Sequence, residues 1–415
     1  MSSVLNLAQG VQSWWLMQHV PVAVFVFCFG ACVGSFINVV IYRLPAGMSL
    51  TTPPSRCPTC GARLRFFQEN LPIIGWLMLR GKCRYCGVRI SPQYMIIELL
   101  MGLAFVGLYA VLYAIDRHTP WWGQIGGQWW HNNWVFRTSP AFVIYAFLIA
   151  GLIAMTVIDA RTFTIPIQIP VFITVAAFIA WPIQTLVPLL PTPSQTWPIP
   201  CVGWHGCGLA IGGMAGVVLA CVLLRLGVLK FSFSDYHEYV QEGETLGDYP
   251  HARREMAVEL LFLLPCIIGM IGGWALGGVF AGVPPEIVQA LGATFAGYLM
   301  GGGLIWGIRI LGTLGFGREA MGLGDVHLLA AVGAVMGWFD PIVVFFLAPF
   351  SGILWAIASM GIASVFHRAR RELPYGPHLA VATLVVILCR PGIQQLWTNV
   401  MRTVPMPAQG FVTAP

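Results

Sequence analysis

The stretch Met321-Gly322-Leu323-Gly324-Asp325 opens an apolar run that continues to Met336, and it places a carboxylate at the edge of that run. Moving a carboxylate out of water is costly, so an acid at the boundary of a membrane span is rare and points to function. A second acid of this kind, Asp159, follows the apolar run that starts at Ala141. The sequence therefore poses the question whether Asp159 and Asp325 act together.

The composition is that of a membrane protein. Of 415 residues, 57% are hydrophobic and only 9% are charged, whereas a soluble chain carries about 25% charged residues. Apolar runs long enough to span a bilayer recur along the chain and predict an all-α polytopic membrane protein with about 8–10 transmembrane helices. The net charge of +6 comes from basic residues clustered between these runs, which is a signal of orientation in the bilayer and predicts no nucleic-acid partner.

The segment 43–92 fixes the predicted orientation because it concentrates positive charge. It holds eight basic residues against one acid, Glu69, and loops of this kind stay in the cytoplasm. Counting spans from this loop places the N-terminus outside and both Asp159 and Asp325 on the cytoplasmic face. The acids Asp116 and Asp340 fall on the opposite face. The basic residues are Arg43, Arg56, Arg63, Arg65, Arg80, Lys82, Arg84 and Arg89.

Five segments follow from this pattern. We predict an N-terminal transmembrane helix in 1–42, a cytoplasmic zinc-binding domain in 43–92, and transmembrane helices carrying Asp159 in 93–229. A charged cytoplasmic insertion plus an extra helix occupies 230–286, and its charged part is expected to end in a short amphipathic helix before a span over about 260–281. Further transmembrane helices carry Asp325 in 287–415. The run from Val326 to Trp338 is too short for a straight span, which favours a re-entrant or thin-membrane segment.

Four of the eleven cysteines form two Cys-x-x-Cys-Gly turns, at Cys57/Cys60 and Cys83/Cys86. Such turns can present four thiolates to one zinc ion, and the glycine after each pair permits a left-handed turn. Two disulfides are the alternative, but disulfides are rare in the cytoplasm, where the charge places this loop. Because four cysteines leave no open coordination position, the predicted role of the zinc is structural.

Two neighbouring carboxylates at a membrane boundary cannot easily both be ionised, so they share a proton and titrate as a unit. In that state the ionised carboxylate can activate water, and the protonated one can activate a peptide carbonyl. The glycines Gly322 and Gly324 would let a substrate backbone approach Asp325. The alternative is that both acids are ordinary helix-capping residues. Glu98, inside the second span, needs a partner such as an arginine or a polar cleft, or must stay neutral.

Several long motifs occur in one order along the chain. They are Gly34-Ser35-Phe36-Ile37-Asn38, the two cysteine turns with Glu69-Asn70-Leu71-Pro72 between them, Ile158-Asp159, Gly322-Leu323-Gly324-Asp325, and Pro374-Tyr375-Gly376-Pro377. With these motifs the chain resembles the type IV prepilin leader peptidase / N-methyltransferase family, the GxGD-type aspartic membrane proteases. The resemblance covers most of the length.

The resemblance implies a specific activity. Such enzymes cut a short, positively charged leader from prepilins and pseudopilins after a glycine, at the cytoplasmic face of the bacterial inner membrane. Asp159 and Asp325 take the positions of the two catalytic aspartates, with Gly322, Gly324, His327 and Glu98 shaping the site. Many members then methylate the new N-terminus with S-adenosylmethionine, and the four-cysteine domain accompanies that second activity. No nucleotide-binding motif identifies where the methyl donor binds.

Two features depart from the family pattern. His327 stands where the family has lysine, and an imidazole titrates near neutrality whereas a lysine keeps its charge. The segment of roughly 205–290 is inserted and brings two extra spans. Among the other readings that remain, a peptidase without methylation and a zinc-stabilised assembly factor share most of these features. An ion-coupled transporter predicts acids near the bilayer midplane and inverted repeats instead, and the sequence shows neither. It does not give the oligomeric state.

Overall fold

The computed structural model describes residues 2–57, 59–65, 69–115, 125, 127–188, 203–234, 250–366 and 375–403. Within these residues the chain is helical, and its only β-type pairings are two isolated bridges near the cysteines. The prediction of an all-α fold is confirmed. The helices are α1 (Ser2–Arg43), α2 (Ile74–Met78), α3 (Gln93–Tyr109), α4 (Gly127–Arg137), α5 (Ser139–Thr162), α6 (Gln168–Leu186), α7 (Trp204–Arg225), α8 (Ala252–Gly277), α9 (Glu286–Phe316), α10 (Leu323–Met336), α11 (Asp340–Phe366) and α12 (Tyr375–Thr403).

Eight helices in the described part of the chain are long and apolar enough to cross a membrane. They are α1, α3, α5, α6, α7, α8, α9 and α11, where α3 continues through a π-helical turn to Ala114. Shorter apolar helices begin at Leu323 and Tyr375. The prediction of a multi-pass protein with about 8–10 spans is therefore confirmed.

The chain forms two compact units. The first comprises Met1–Trp134, Leu152–Thr162 and Leu388–Pro405, and the second comprises Val135–Gly151, Phe163–Ile387 and Met406–Pro415. In the first unit α1 packs closely on α3. A Cβ on Gly34 would lie 2.7 Å from the Cα of Glu98, and one on Gly30 would lie 2.9 Å from the carbonyl oxygen of Met101. Small residues at such positions let helix backbones approach in lipid, where association depends on close packing.

The second unit encloses the short helix α10. Its residues from Leu328 to Met336 are all buried, and its backbone meets α9 where Gly297 faces Gly333. At its end, Trp181 of α6 is fully buried and donates a hydrogen bond to the carbonyl of Val335 at 3.2 Å. The predicted short run is thus a helix of 14 residues surrounded by protein. It need not match the thickness of a bilayer.

Helices α7 and α8, in the segment predicted to be an insertion, pack through two facing rows of residues that are mostly glycine. Gly208, Gly212 and Gly216 face the backbone around Gly273, Gly269 and Pro265. The spacing of four residues puts each row on one face of its helix. Such rows bring two backbones into direct contact, which favours association within lipid.

The prediction of a separate short amphipathic helix at the end of the insertion is wrong. Residues 252–277 form one continuous helix, α8. Glu255 and Glu259, in the first turns of this helix, are buried, and Glu255 accepts a 2.8 Å hydrogen bond from the amide of Phe233. Since the acids have protein partners, the charged turns continue directly into the apolar span. Residues 235–249 of the insertion and the basic patch at 367–371 lie outside the described residues.

We expect Gly212→Ala to destabilise the protein, because the added Cβ would lie 2.0 Å from the carbonyl oxygen of Gly269. Overpacking of this kind costs about 1–3 kcal/mol. Thermal unfolding in detergent measures the effect. Gly272→Ala on the neighbouring helix is the control, because a Cβ there meets nothing within 4 Å. Equal unfolding temperatures for the two variants would contradict the glycine packing.

Candidate functional site

The four cysteines converge in the first unit. Their sulfur atoms all lie within 4.8 Å of one another, a grouping that could hold a metal ion. Cys57 Sγ lies 3.9 Å from Cys86 Sγ, and Cys60 Sγ lies 4.0 Å from Cys83 Sγ. All four are free thiols, so the disulfide alternative is not what the structure shows. This geometry agrees with the prediction that the two cysteine turns lie next to each other.

The two cysteine turns share one backbone pattern. In each, the amide of the first cysteine donates to a carbonyl five residues later, Ala62 in one turn and Val88 in the other. The glycine after each pair donates back to that cysteine and has φ near +70°, as predicted for a left-handed turn. Hydrogen bonds from the backbone amides of Cys60 and Thr59 lower the pKa of the Cys57 thiol to about 6, so this sulfur is suited to be a metal-binding thiolate.

Glu98 has a backbone partner. It is buried in α3, and its Oε2 accepts a 2.7 Å hydrogen bond from the amide of Ile73, with Ser35 of α1 as a further hydrogen-bonding partner. Ile73 has φ +63°, which is strained for a β-branched residue. The carboxylate therefore fastens the segment between the two cysteine turns onto α1 and α3. Its hydrogen-bonding partners are thus a backbone amide and a serine side chain, whereas the sequence suggested an arginine or a polar cleft.

Asp159 lies near the end of α5, in the part of that helix that belongs to the first unit. It is only 5% exposed. Two residues later, Arg161 donates a hydrogen bond to the side chain of Gln93, the first residue of α3. Because α3 begins where the cysteine segment ends, this bond joins the helix end that bears Asp159 to the base of that segment.

Asp325 lies in the first turn of α10, in the second unit, and is half-buried. Gly322 precedes the helix in an extended conformation, and a Cβ there would meet only the Asp325 carboxylate, at 3.5 Å. A Cβ on Gly324 would lie 2.9 Å from the Cβ of Ile165. Gly324 is therefore needed for packing against Ile165, whereas Gly322 leaves the open approach that the sequence suggested for both. Asp159 and Asp325 are thus described in separate units, and their pairing stays a prediction.

His327 lines an apolar cavity of about 330 Å³ between α6, α7 and α9. Phe178 and Tyr298 form part of its wall, and Arg225 contributes the charged group. Helix α7, in the segment predicted to be an insertion, thus borders the same cavity as His327. This neighbourhood did not follow from the sequence.

Tyr375 is a site residue that reasoning from the acids missed. It begins α12 and interacts electrostatically with Asp325. The signal in the sequence was the motif Pro374-Tyr375-Gly376-Pro377, part of the resemblance. Its position next to an aspartate turn about 50 residues earlier in the chain required the fold.

Comparisons with known proteins agree with these features. Residues 28–112 match the family model Bacterial Peptidase A24 N-terminal domain. The chain is 25% identical over 413 residues to a prepilin leader peptidase/N-methyltransferase of Aeromonas salmonicida (strain A449), covering 94% of this chain and 95% of that protein. A protein of the same name from Dichelobacter nodosus is 27% identical over 401 residues, with 90% and 93% covered.

A shorter and stronger match is to the prepilin leader peptidase/N-methyltransferase of Myxococcus xanthus (strain DK1622). It is 39% identical over 149 residues, which cover 36% of this chain and 37% of that protein. The chain is thus similar over nearly its whole length to proteins named prepilin leader peptidase/N-methyltransferase. No solved structure matches it.

We expect Gly324→Ala to lower the free energy of unfolding by about 1–3 kcal/mol, because the new methyl group meets Ile165. Gly322→Ala is the matched control, with an expected change of less than about 0.5 kcal/mol. Denaturation in detergent measures both.

The contact is isolated by combining Gly324→Ala with Ile165→Gly, which removes the Cβ that would lie 2.9 Å from the added methyl group. If the clash is responsible, the double variant is more stable than the sum of the single effects by about 0.5 kcal/mol or more. Purely additive effects would show that Gly324 does not depend on Ile165.

Proposed function

We propose that this protein is a prepilin peptidase. It cleaves the leader of type IV prepilins or pseudopilins after a glycine at the cytoplasmic face of the membrane, using Asp159 and Asp325, and then N-methylates the new N-terminal residue. The observation that carries the proposal is the Gly-Leu-Gly-Asp turn at the start of the enclosed helix α10, in a chain related over 94% of its length to a protein named for this activity.

The proposed chemistry needs the two carboxylates to share one proton. The ionised carboxylate removes a proton from water, and the resulting nucleophile attacks the scissile carbonyl. The protonated carboxylate donates a hydrogen bond to that carbonyl oxygen and stabilises the tetrahedral intermediate. Proton transfer to the leaving amine completes the cleavage and regenerates the shared-proton state.

Sequence proximity supports the pairing. Ile165, which contacts Gly324, follows Asp159 by only six residues. Both aspartates also stand at helix ends: Asp159 is the fourth residue from the end of α5, and Asp325 is the third of α10. This placement favours a peptidase over an ion-coupled transporter, which would need acids near the middle of its spans.

Zinc is the metal that the cysteine cluster fits best. A tetrahedral site with Zn–S bonds of about 2.3 Å places its sulfurs about 3.8 Å apart, close to the observed 3.9 and 4.0 Å. Cys57, Cys60, Cys83 and Cys86 would hold the ion and leave no open position. The ion would cross-link the two turns and support the segment that Glu98 fastens to α3.

The remaining parts of the proposal concern partners and location. The substrate is a prepilin with a short, positively charged leader. The protein lies in a bacterial inner membrane, with the cysteine segment on the cytoplasmic side and the N-terminus outside. S-adenosylmethionine supplies the methyl group in the second reaction, and none of the described residues is assigned to it. The alternative is a peptidase without methylation.

Asp159→Asn and Asp325→Asn should each abolish cleavage, because asparagine cannot exchange the proton. We expect a loss of about 10²- to 10⁴-fold, measured by mass spectrometry of the N-terminus of a co-expressed prepilin, which reports the cut and the methyl group together. Glu286→Gln, an exposed acid in α9, is the control. Continued processing in either aspartate variant would refute the peptidase proposal.

Cys57→Ser should remove the bound metal and loosen residues 43–92, and it should impair methylation more than cleavage. Metal analysis, limited proteolysis and the same mass spectrometry measure these effects. Cys28→Ser, at an exposed cysteine of α1, is the control. Metal retained at full stoichiometry, or an equal loss of both activities, would count against the structural zinc site.

A further inference from the structure

A buried arginine, Arg309 of α9, forms a polar cluster that the proposed chemistry does not use. Its side chain is only 2% exposed. Its Nε lies 3.1 and 3.2 Å from the two carboxylate oxygens of Glu259 in α8, and its Nη2 lies 3.0 Å from Oε1. Trp306 donates to the same carboxylate at 2.7 Å, and the Phe233 ring centre lies 5.5 Å from the guanidinium carbon. The charge is thus fully compensated by protein.

The other side of the guanidinium reaches the aspartate turn. Nη1 donates to the carboxylate of Glu319 and to the backbone carbonyl of Met321. Met321 immediately precedes Gly322-Leu323-Gly324-Asp325. One planar side chain therefore connects the inserted helix α8 with the backbone that leads into α10. Arginine can do this because its five donors are fixed in a fork, which lysine lacks.

Further contacts fix the same turn. The hydroxyl of Thr313 accepts a 3.1 Å hydrogen bond from the amide of Ala320. Arg253 of α8 donates to the carbonyl of Leu314 at 3.0 Å, and Gly317 reverses the chain with φ +73°. The loop from α9 to α10 is therefore held to α8 directly at its start, and through Arg309 of α9 at its end.

We propose that Arg309 is a positioning residue for the peptidase reaction, an inference that rests on the proposed function. By holding the Met321 carbonyl, it fixes the backbone that enters α10 and so sets the place of the Asp325 carboxylate. Glu259 of the inserted helix supports the guanidinium. Through this pair, the insertion takes part in forming the active site.

Stability alone does not account for such a cluster. A buried ion pair can often be replaced by apolar residues without loss of stability, because desolvation offsets the attraction of the charges. What the apolar replacement cannot supply is the hydrogen bond to Met321. A loss of this hydrogen bond should therefore move Asp325 without destabilising the fold, and two variants of Arg309 test this.

The experiment compares Arg309→Lys and the paired variant Arg309→Met with Glu259→Gln, both in the full chain. Lysine keeps the charge but loses the fork. The paired variant removes both charges of the pair, and the glutamine oxygen can still accept from Trp306. For each variant, kcat and KM for prepilin cleavage are measured together with the unfolding temperature. We expect kcat to fall about 10- to 100-fold, as a small misplacement of a catalytic group does, with KM within about twofold of the wild type.

Two further variants make the outcomes distinguishable. Arg254→Lys, at an exposed arginine of α8, should retain the wild-type kcat. Asp325→Asn tests the proposed function itself: if it still cleaves, that function fails. If Asp325→Asn is inactive but both Arg309 variants retain the wild-type kcat per folded molecule, or change only KM or only the folded fraction, the positioning role is overturned and the peptidase stands.

Discussion

The carboxylate of Asp325 can stand at the edge of an apolar helix only because protein surrounds that helix. An exposed helix of 14 residues would not match a bilayer, and its ends would leave backbone groups without partners in lipid. Close contacts through Gly297 and Gly301 of α9 and the Trp181 hydrogen bond at its end enclose α10. The longer helices thereby stabilise the short helix α10, and Asp325 lies in its first turn.

The same rule, that polar groups in apolar surroundings need protein partners, explains the other acids. Glu98 accepts a hydrogen bond from the amide of Ile73, whose backbone is strained. Glu259 accepts hydrogen bonds from the guanidinium of Arg309. Glu98 thereby fixes the cysteine segment, and Glu259 acts through Arg309 on the backbone that leads into α10. Buried acids in this protein are thus attachment points for loops, in addition to the two proposed to react.

The sequence was sufficient for features that depend on local pattern. Apolar runs predicted the spans, and the spacing of Cys57, Cys60, Cys83 and Cys86 predicted their convergence. It was also sufficient to select Asp159 and Asp325 as candidates, since an acid at the end of an apolar run is unusual in itself. The assignment failed where charge suggested solvent: Glu255 and Glu259 were expected on a separate amphipathic helix, yet both are buried in α8.

Contacts between distant segments could not be predicted in this way. The sequence suggested that Gly324 gives a substrate access to Asp325. In the structure its neighbour is Ile165, about 160 residues earlier in the chain. Arg309 gave no signal because a single arginine in a glycine-rich apolar run is compatible with either end of a span. Its role depends on Glu259 and Met321, which only the packing of α8, α9 and the aspartate turn brings to it.

The pairing of Arg309 with Glu259 has a consequence for how the protein enters its membrane. Either charge alone would oppose the release of its helix into lipid. Only residues 278–285 separate α8 from α9, so the two helices can pair as a hairpin soon after synthesis. The ion pair therefore favours the insertion of α8 and α9 together, and the turn that leads to Asp325 of α10 follows directly after α9.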